Sequence, residues 1–138
     1  MVSGSAPNGS LDVSSLGKHA KFPRSVRLLR HADFERVYKQ GRRHFAGHMT
    51  VFYLRRAQGE GLRVGLTVGR VLGGAVVRNR MKRRLREAVR LQRPGGSMPV
   101  DVVINPKKSM LTVEFTELEN EISRCFEVIQ KSLEKRTT

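Results

Sequence analysis

Leu62–Gln92 reads LRVGLTVGRVLGGAVVRNRMKRRLREAVRLQ, and its two halves follow different periods. Leu62 to Val68 is short and β-branched, which predicts a strand. Gly69 to Gly74 interrupts it with a glycine-rich loop. From about Ala75 to Gln92, Val77, Met81, Leu85, Ala88 and Val89 fall on one arc of a helical wheel. Arg78, Lys82, Arg86, Arg90 and Arg93 line one flank of that arc, Arg80 and Arg84 the other, and Arg83 points nearly opposite. A solvated charge run has no reason to keep an apolar stripe, whereas a helix docked on a core and showing cations outward needs one. Residues 78–93 hold eight cations against one acid, Glu87, so pairing within the helix cannot neutralise it. The predicted partner is a polyanion, RNA or DNA before others. Arginine outnumbers lysine here, which favours bidentate phosphate contacts, and Asn79 adds a neutral donor and acceptor for a ribose hydroxyl or base edge.

Upstream, Phe34, Val37 and Tyr38 have helical spacing and Gly41 offers a stop, predicting a helix over His31–Gln40. Met49 to Arg55 (MTVFYLR) is a good strand, and Gln58-Gly59-Glu60-Gly61 reads as a turn that would pair it with Leu62–Val68 as a hairpin. Residues 42–48 (RRHFAGH) leave an extra strand open. Downstream, the breakers Pro94, Gly95 and Gly96 end the basic helix, and Val100 to Asn105 (VDVVIN) is a third strand. A last helix covers about Phe115 to Lys135, with Thr116 and Glu119 fitting a capping box, or Thr112 starting it a turn earlier, and Leu118, Ile122, Phe126, Ile129 and Leu133 as its buried stripe. Residues 1–25, rich in Ser and Gly, read as a flexible extension, and residues 26–135 as a single RNA-binding α/β domain. The order helix, strand, strand, helix, strand, helix predicts an α+β fold, a sheet of three or four strands with helices packed on it.

The charge totals agree. Lys and Arg number 27 against 12 acids, a net charge of +15, with a pI near 11.3. Self-repulsion at that charge opposes compaction, so a polyanionic partner is the economical explanation. The single cysteine, Cys125, excludes an internal disulfide and a thiolate metal cage, and suits a reducing cytoplasm. No apolar run nears the ~20 residues that span a bilayer, and neither a secretory signal nor a membrane partner is expected.

Catalytic constellations are missing. His19, His31, His44 and His48 are scattered, the Gly69–Gly74 loop lacks the Gly-Lys-Ser/Thr ending of a phosphate-binding loop, and Asp101 stands alone on its strand. The glutamates gather on the last helix, where they read as solvated. No paired carboxylates or nucleophilic dyad appear, so the protein by itself is expected to cleave nothing.

The run from Arg63 to Glu87, with Arg78-Asn79-Arg80 following Gly74-Ala75-Val76 and then Lys82-Arg83, closely resembles the signature of the bacterial ribonuclease P protein subunit. Arg27-Leu28, Asp33-Phe34, Tyr38, Gly41 and Arg42 resemble the family's opening. That resemblance implies a compact α/β sandwich, a mostly antiparallel sheet of about four strands with three helices and a left-handed βαβ crossover, a hand that strand order alone would not suggest. It also implies a job: RNA-binding subunit of the endonuclease (a hydrolase) ribonuclease P, a cytoplasmic ribonucleoprotein in tRNA processing. The partners implied are ribonuclease P RNA and precursor tRNA, with no further protein partner required. Mg²⁺ and the chemistry are expected on the RNA, so the protein would act as a ribozyme cofactor with no catalytic residue and no metal site of its own.

By position, the resemblance makes Arg78, Arg80, Arg83, Arg84 and Arg86, with Arg70 in the preceding loop, the surface that meets the catalytic RNA. Phe34, Tyr38 and Phe52 would line a cleft for the single-stranded 5′ leader, with Thr50 and Thr67 as neighbours and Asn79 and Lys82 at its edge. Cationic grooves with aromatic faces do hold single strands with little sequence preference, although Phe34 and Phe52 fit ordinary core packing equally well. Two departures from the pattern, Val71 where a second basic residue is usual and Gly74 where Asn is common, put one phosphate contact in doubt, with Arg42, Arg43 or Arg55 as the candidates to offset it. A ribosomal protein and a protein-only nuclease are the competing readings. Cosedimentation with ribosomes would favour the former, RNA-free cleavage of precursor tRNA the latter.

Overall fold

Val102 and Val103 are adjacent in sequence and both fully buried, which requires a strand covered on both faces. That strand, β4 (Val100–Pro106), lies inside a four-stranded sheet in the order β1-β2-β4-β3, with β1 (Arg42–Phe45), β2 (Met49–Arg55) and β3 (Leu62–Leu66). The computed structural model describes residues 27, 30–59, 61–93 and 99–137. The expected extension (1–25) lies outside them, as do residues 94–98, where the breakers were read.

Three helices complete the α+β fold: α1 (His31–Gln40), α2 (Ala75–Gln92) and α3 (Phe115–Thr137). Short 3-10 turns, Arg70–Leu72 and Lys108–Leu111, precede α2 and α3. The extra strand left open over residues 42–48 is real and antiparallel to β2.

One expected pairing is wrong. β2 and β3 do not form a hairpin; β4 enters between them, antiparallel to β2 and parallel to β3, so α2 is the crossover of a β3–α2–β4 unit. The physical reason is burial. The most apolar strand takes the centre, and Asp101 on it, with no exposed surface, accepts hydrogen bonds from Arg56 in the β2–β3 connection and from Arg63 on β3. Asp101 therefore does not stand alone; its charge is balanced from both neighbouring segments. The expected capping box also fails, because α3 starts at Phe115 and places Thr116 inside the first turn.

The two faces of the sheet are covered unequally. Met49, Val51 and Tyr53 of β2, Val64 of β3 and Val102 and Ile104 of β4 meet Met81, Leu85, Ala88 and Val89 of α2 and the predicted α3 stripe in one large core. On the other face, among the described residues, the buried apolar side chains are Val37 of α1 and Val103, with Phe34, Phe52 and Leu54 partly covered beside them. So little apolar burial is supplemented by a chain of charges. Arg36 donates to Asp33 at 2.7 Å, and Arg63 lies 3.9 Å from Asp33 while donating to Asp101. The turn into β1 needs glycine for space, since a Cβ at Gly41 would stand 2.5 Å from the Val37 carbonyl oxygen and 2.6 Å from that of Tyr53.

Glu121 corrects another expectation. It is buried, not solvated, and accepts the His48 backbone N–H at 2.9 Å. The His48 ring bridges Ser109 (2.8 Å) and Glu117 (3.2 Å), so the β1–β2 connection is clamped to α3.

Candidate nucleic-acid interface

The sequence of α2 turns four apolar residues inward and leaves its cations to sort themselves by what they can reach. Arg84 reaches protein. Its two terminal nitrogens donate to the carbonyls of Leu111 (3.0 Å) and Val113, and its guanidinium lies 5.9 Å from the Phe115 ring centroid. That arginine ties α2 to the turn before α3. Arg90 pairs with Glu87, whose carboxyl is held below its usual range by the Arg90 hydrogen bond. Arg78 donates through Nε to the Gly73 carbonyl at 3.1 Å, which fixes the helix entry. Gly73 itself has φ +146° and packs against Val77, a conformation and a space that suit only glycine.

Arg80, Arg83 and Arg86 are exposed, and none of their side chains makes a hydrogen bond or ion pair among the described residues. Lys82, half-buried, likewise has no such partner there. With exposed Arg70 in the preceding turn they form a cationic surface without internal neutralisation. Such groups are available to phosphates; Arg78 commits only its Nε, whereas Arg84 spends both terminal nitrogens on protein carbonyls. The helical wheel could not separate it from Arg80, because the difference lies in which loop each meets.

The second surface is the lightly covered sheet face. Tyr38, at the end of α1 and 36% exposed, donates to Asn105 Oδ1 at 3.0 Å and shares a 2.7 Å hydrogen bond with Thr67. Its ring meets Phe52 edge to face, with centroids 4.8 Å apart and an interplanar angle of 87°. Thr50 lies beside them, opposite Asn105 on β4 and Phe45 on β1. The structure thus brings together five sequence-selected residues, Phe34, Tyr38, Thr50, Phe52 and Thr67. Phe34 and Phe52 are neither fully buried nor free: they are half-buried against Val37 and Val103, with edges at the surface.

Asn79 and Lys82 are on a different element, and among the described residues no hydrogen bond or ring contact links them to Tyr38 or Phe52. Sequence reasoning missed Phe45 and Asn105 on this face and offered Arg43 only as one of three arginines that could replace the doubtful loop contact. Phe45 is 67% exposed, and the Arg43 guanidinium sits 5.4 Å from its centroid and 5.8 Å from that of Phe52. The available signal was the alternation Arg43-His44-Phe45, which puts Arg43 and Phe45 on one side of a strand. Asn105 was missed as the hydrogen-bond partner that orients Tyr38.

Among the described residues no group of three or more His, Cys, Asp or Glu could hold a metal ion. Cys125 is buried, and desolvation pushes its thiol up to about 12. No helix among the described residues is long and apolar enough to cross a membrane.

Known proteins share both sequence and fold with this chain. The ribonuclease P family model matches residues 22–130. The ribonuclease P protein component of Symbiobacterium thermophilum is 40% identical over 104 residues, covering 75% of this chain and 90% of that protein. The corresponding component from a Geobacter strain is 35% identical over 112 residues, 81% of this chain and 95% of its own length. Among solved structures, the RNase P protein of Thermotoga maritima superposes with a TM-score of 0.62 at 26% identity, covering 72% of this chain and 94% of that one. The Staphylococcus aureus RNase P protein gives 0.66 at 23% identity, over 75% and 94%, and speaks for the fold alone. On these matches the chain belongs to the ribonuclease P protein family.

Proposed function

We propose that this chain is the RNA-binding subunit of a ribonuclease P ribonucleoprotein and acts through two separate surfaces. Arg80, Arg83 and Arg86, with Arg78 and Arg70, meet the catalytic RNA. Each phosphate they neutralise releases condensed counterions, which makes assembly favourable and strongly salt-dependent. Arg84 supports that surface by bracing α2.

The second surface takes the single-stranded 5′ leader of precursor tRNA. Tyr38, Phe52 and Phe45 offer ring edges and faces, Arg43 supplies a cation above two of them, and Thr50, Thr67 and Asn105 offer polar partners. Sequence-tolerant binding of single strands uses such a combination. Asn79 and Lys82 extend the basic surface where α2 begins, toward the RNA. Mg²⁺ and hydrolysis are assigned to the RNA: among the described residues no group of three or more His, Cys, Asp or Glu could hold a metal ion, and the Ser109–His48–Glu117 contact serves to clamp the β1–β2 connection to α3. The complex would work in the cytoplasm without a further protein partner.

The observation that carries the reading is the half-exposed aromatic and cationic patch on a sheet face that would otherwise be closed. The test is reconstitution of ribonuclease P RNA with 5′-extended precursor tRNA at low Mg²⁺, with and without this protein. Cleavage that needs both macromolecules is the expected result. Tight RNA binding without stimulation would contradict it and favour a general RNA-binding or ribosomal role.

A further inference from the structure

The open sheet face does not end at Phe52. Leu54 continues it along β2, packed with Phe34 and Phe52 around Val37 and Val103. Beyond Leu54 lies an open depression of about 390 Å³, between α1 and the turn that leaves β2. Arg36 and Gln40 form its α1 wall, Arg55 and Gln58 the opposite side, and Leu54 and Ala57 give it apolar surface. Its size is that of a small-ligand cleft.

The arginines around it are not equivalent. Arg56 is structural: it donates to the carbonyls of Gln58, Val100 and Gly61 and to Asp101, which fixes the turn. Arg36 uses one terminal nitrogen on Asp33 and keeps its other donors. Arg55 is exposed, and its side chain makes no hydrogen bond or ion pair among the described residues. The wall is thus rigid, one cation is oriented by a buried carboxylate, and another is uncommitted.

We propose that this depression is a further subsite for single-stranded RNA. Arg55 and Arg36 would take a phosphate, Leu54 and Ala57 would lie under the base, and Gln40 and Gln58 would reach its edges. The inference rests on the proposed function and fixes a direction for the leader. Thr67 and Asn105 stand at the end of the face from which the chain runs into α2 and its RNA-facing cations. The depression stands at the opposite end, because Thr50 pairs with Asn105 while Arg55 pairs with Val100. Five residues of strand separate Thr50 from Arg55, about 17 Å at the usual rise. The leader nucleotides held here are those farther from the cleavage site than the ones at Tyr38 and Phe52.

The test uses the reconstituted holoenzyme and precursor tRNAs whose leaders are shortened one nucleotide at a time. Arg55→Glu should lower affinity about tenfold for long leaders, one charged contact's worth, and change nothing once the leader is too short to reach. Arg55→Lys should retain most of the affinity. Equal affinities of Arg55→Glu and wild type at every length, or a loss independent of length, would overturn the subsite. A wild-type holoenzyme indifferent to leader length would instead sink the leader-binding function, and the subsite with it.

Discussion

The two faces of the sheet are made from the same strands and end differently. Under α2 and α3, Met49, Val51, Tyr53, Val102 and Ile104 vanish into a core of aliphatic side chains. Under α1, Thr50, Phe52, Leu54 and Asn105 stay half-covered, and α1 is held as much by Asp33, Arg63 and Asp101 as by Val37. The contrast teaches that an exposed aromatic patch needs support that does not consume it. Ion pairs below and beside the patch supply that support while ring edges stay available to bases.

Removing the support should have the largest effect on folding. Asp101→Asn leaves the guanidinia of Arg56 and Arg63 without their common carboxylate, and breaking a buried pair in this way costs about 3 kcal/mol or more. Urea unfolding should show it as a lower midpoint at unchanged slope. An unperturbed midpoint would mean that the α1 face does not depend on the charge chain. Arg84→Ala comes next. It removes two charge-assisted bonds to carbonyls beneath α2 and should cost about 2 kcal/mol, while lowering RNA affinity less than Arg83→Ala does. The reverse ranking would restore Arg84 to the RNA surface. Tyr38→Phe should be mildest for stability, under about 1 kcal/mol, since the hydroxyl is exposed and its partners can bond to water. A larger loss would make Tyr38 a fold residue and narrow the contrast between the faces.

Much of this architecture was legible in the sequence because it is local. Periodicity and glycine stops placed α1 and α2, and the stripe Leu118, Ile122, Phe126, Ile129 and Leu133 is buried as its spacing predicts. Strand pairing was not local. A turn between Arg55 and Leu62 invites a hairpin, and only the double burial of Val102 and Val103 shows that β4 must intervene. The hint was present in the unbroken Val102-Val103-Ile104 run, which reads as a central strand rather than a half-buried one. Asp101 and Glu121 were misjudged for the same reason: their partners, Arg56, Arg63 and the His48 backbone, are brought in by tertiary pairing. The aromatic members Phe34, Tyr38 and Phe52 were selected through a family resemblance, whereas Phe45 and Arg43 needed the β1–β2 register to appear beside them.

The central claim is that catalytic-RNA binding and leader binding occupy separate surfaces. It is tested most directly by measuring two affinities on two variants: that of the protein for ribonuclease P RNA, and that of the holoenzyme for precursor tRNA with and without its leader. Arg80→Ala/Arg83→Ala should weaken the first, with a shallower salt dependence, and leave the leader's contribution intact at saturating protein. Phe52→Leu/Tyr38→Phe should leave the first unchanged and shrink the leader's contribution. The same defect from both variants would contradict the two-surface account.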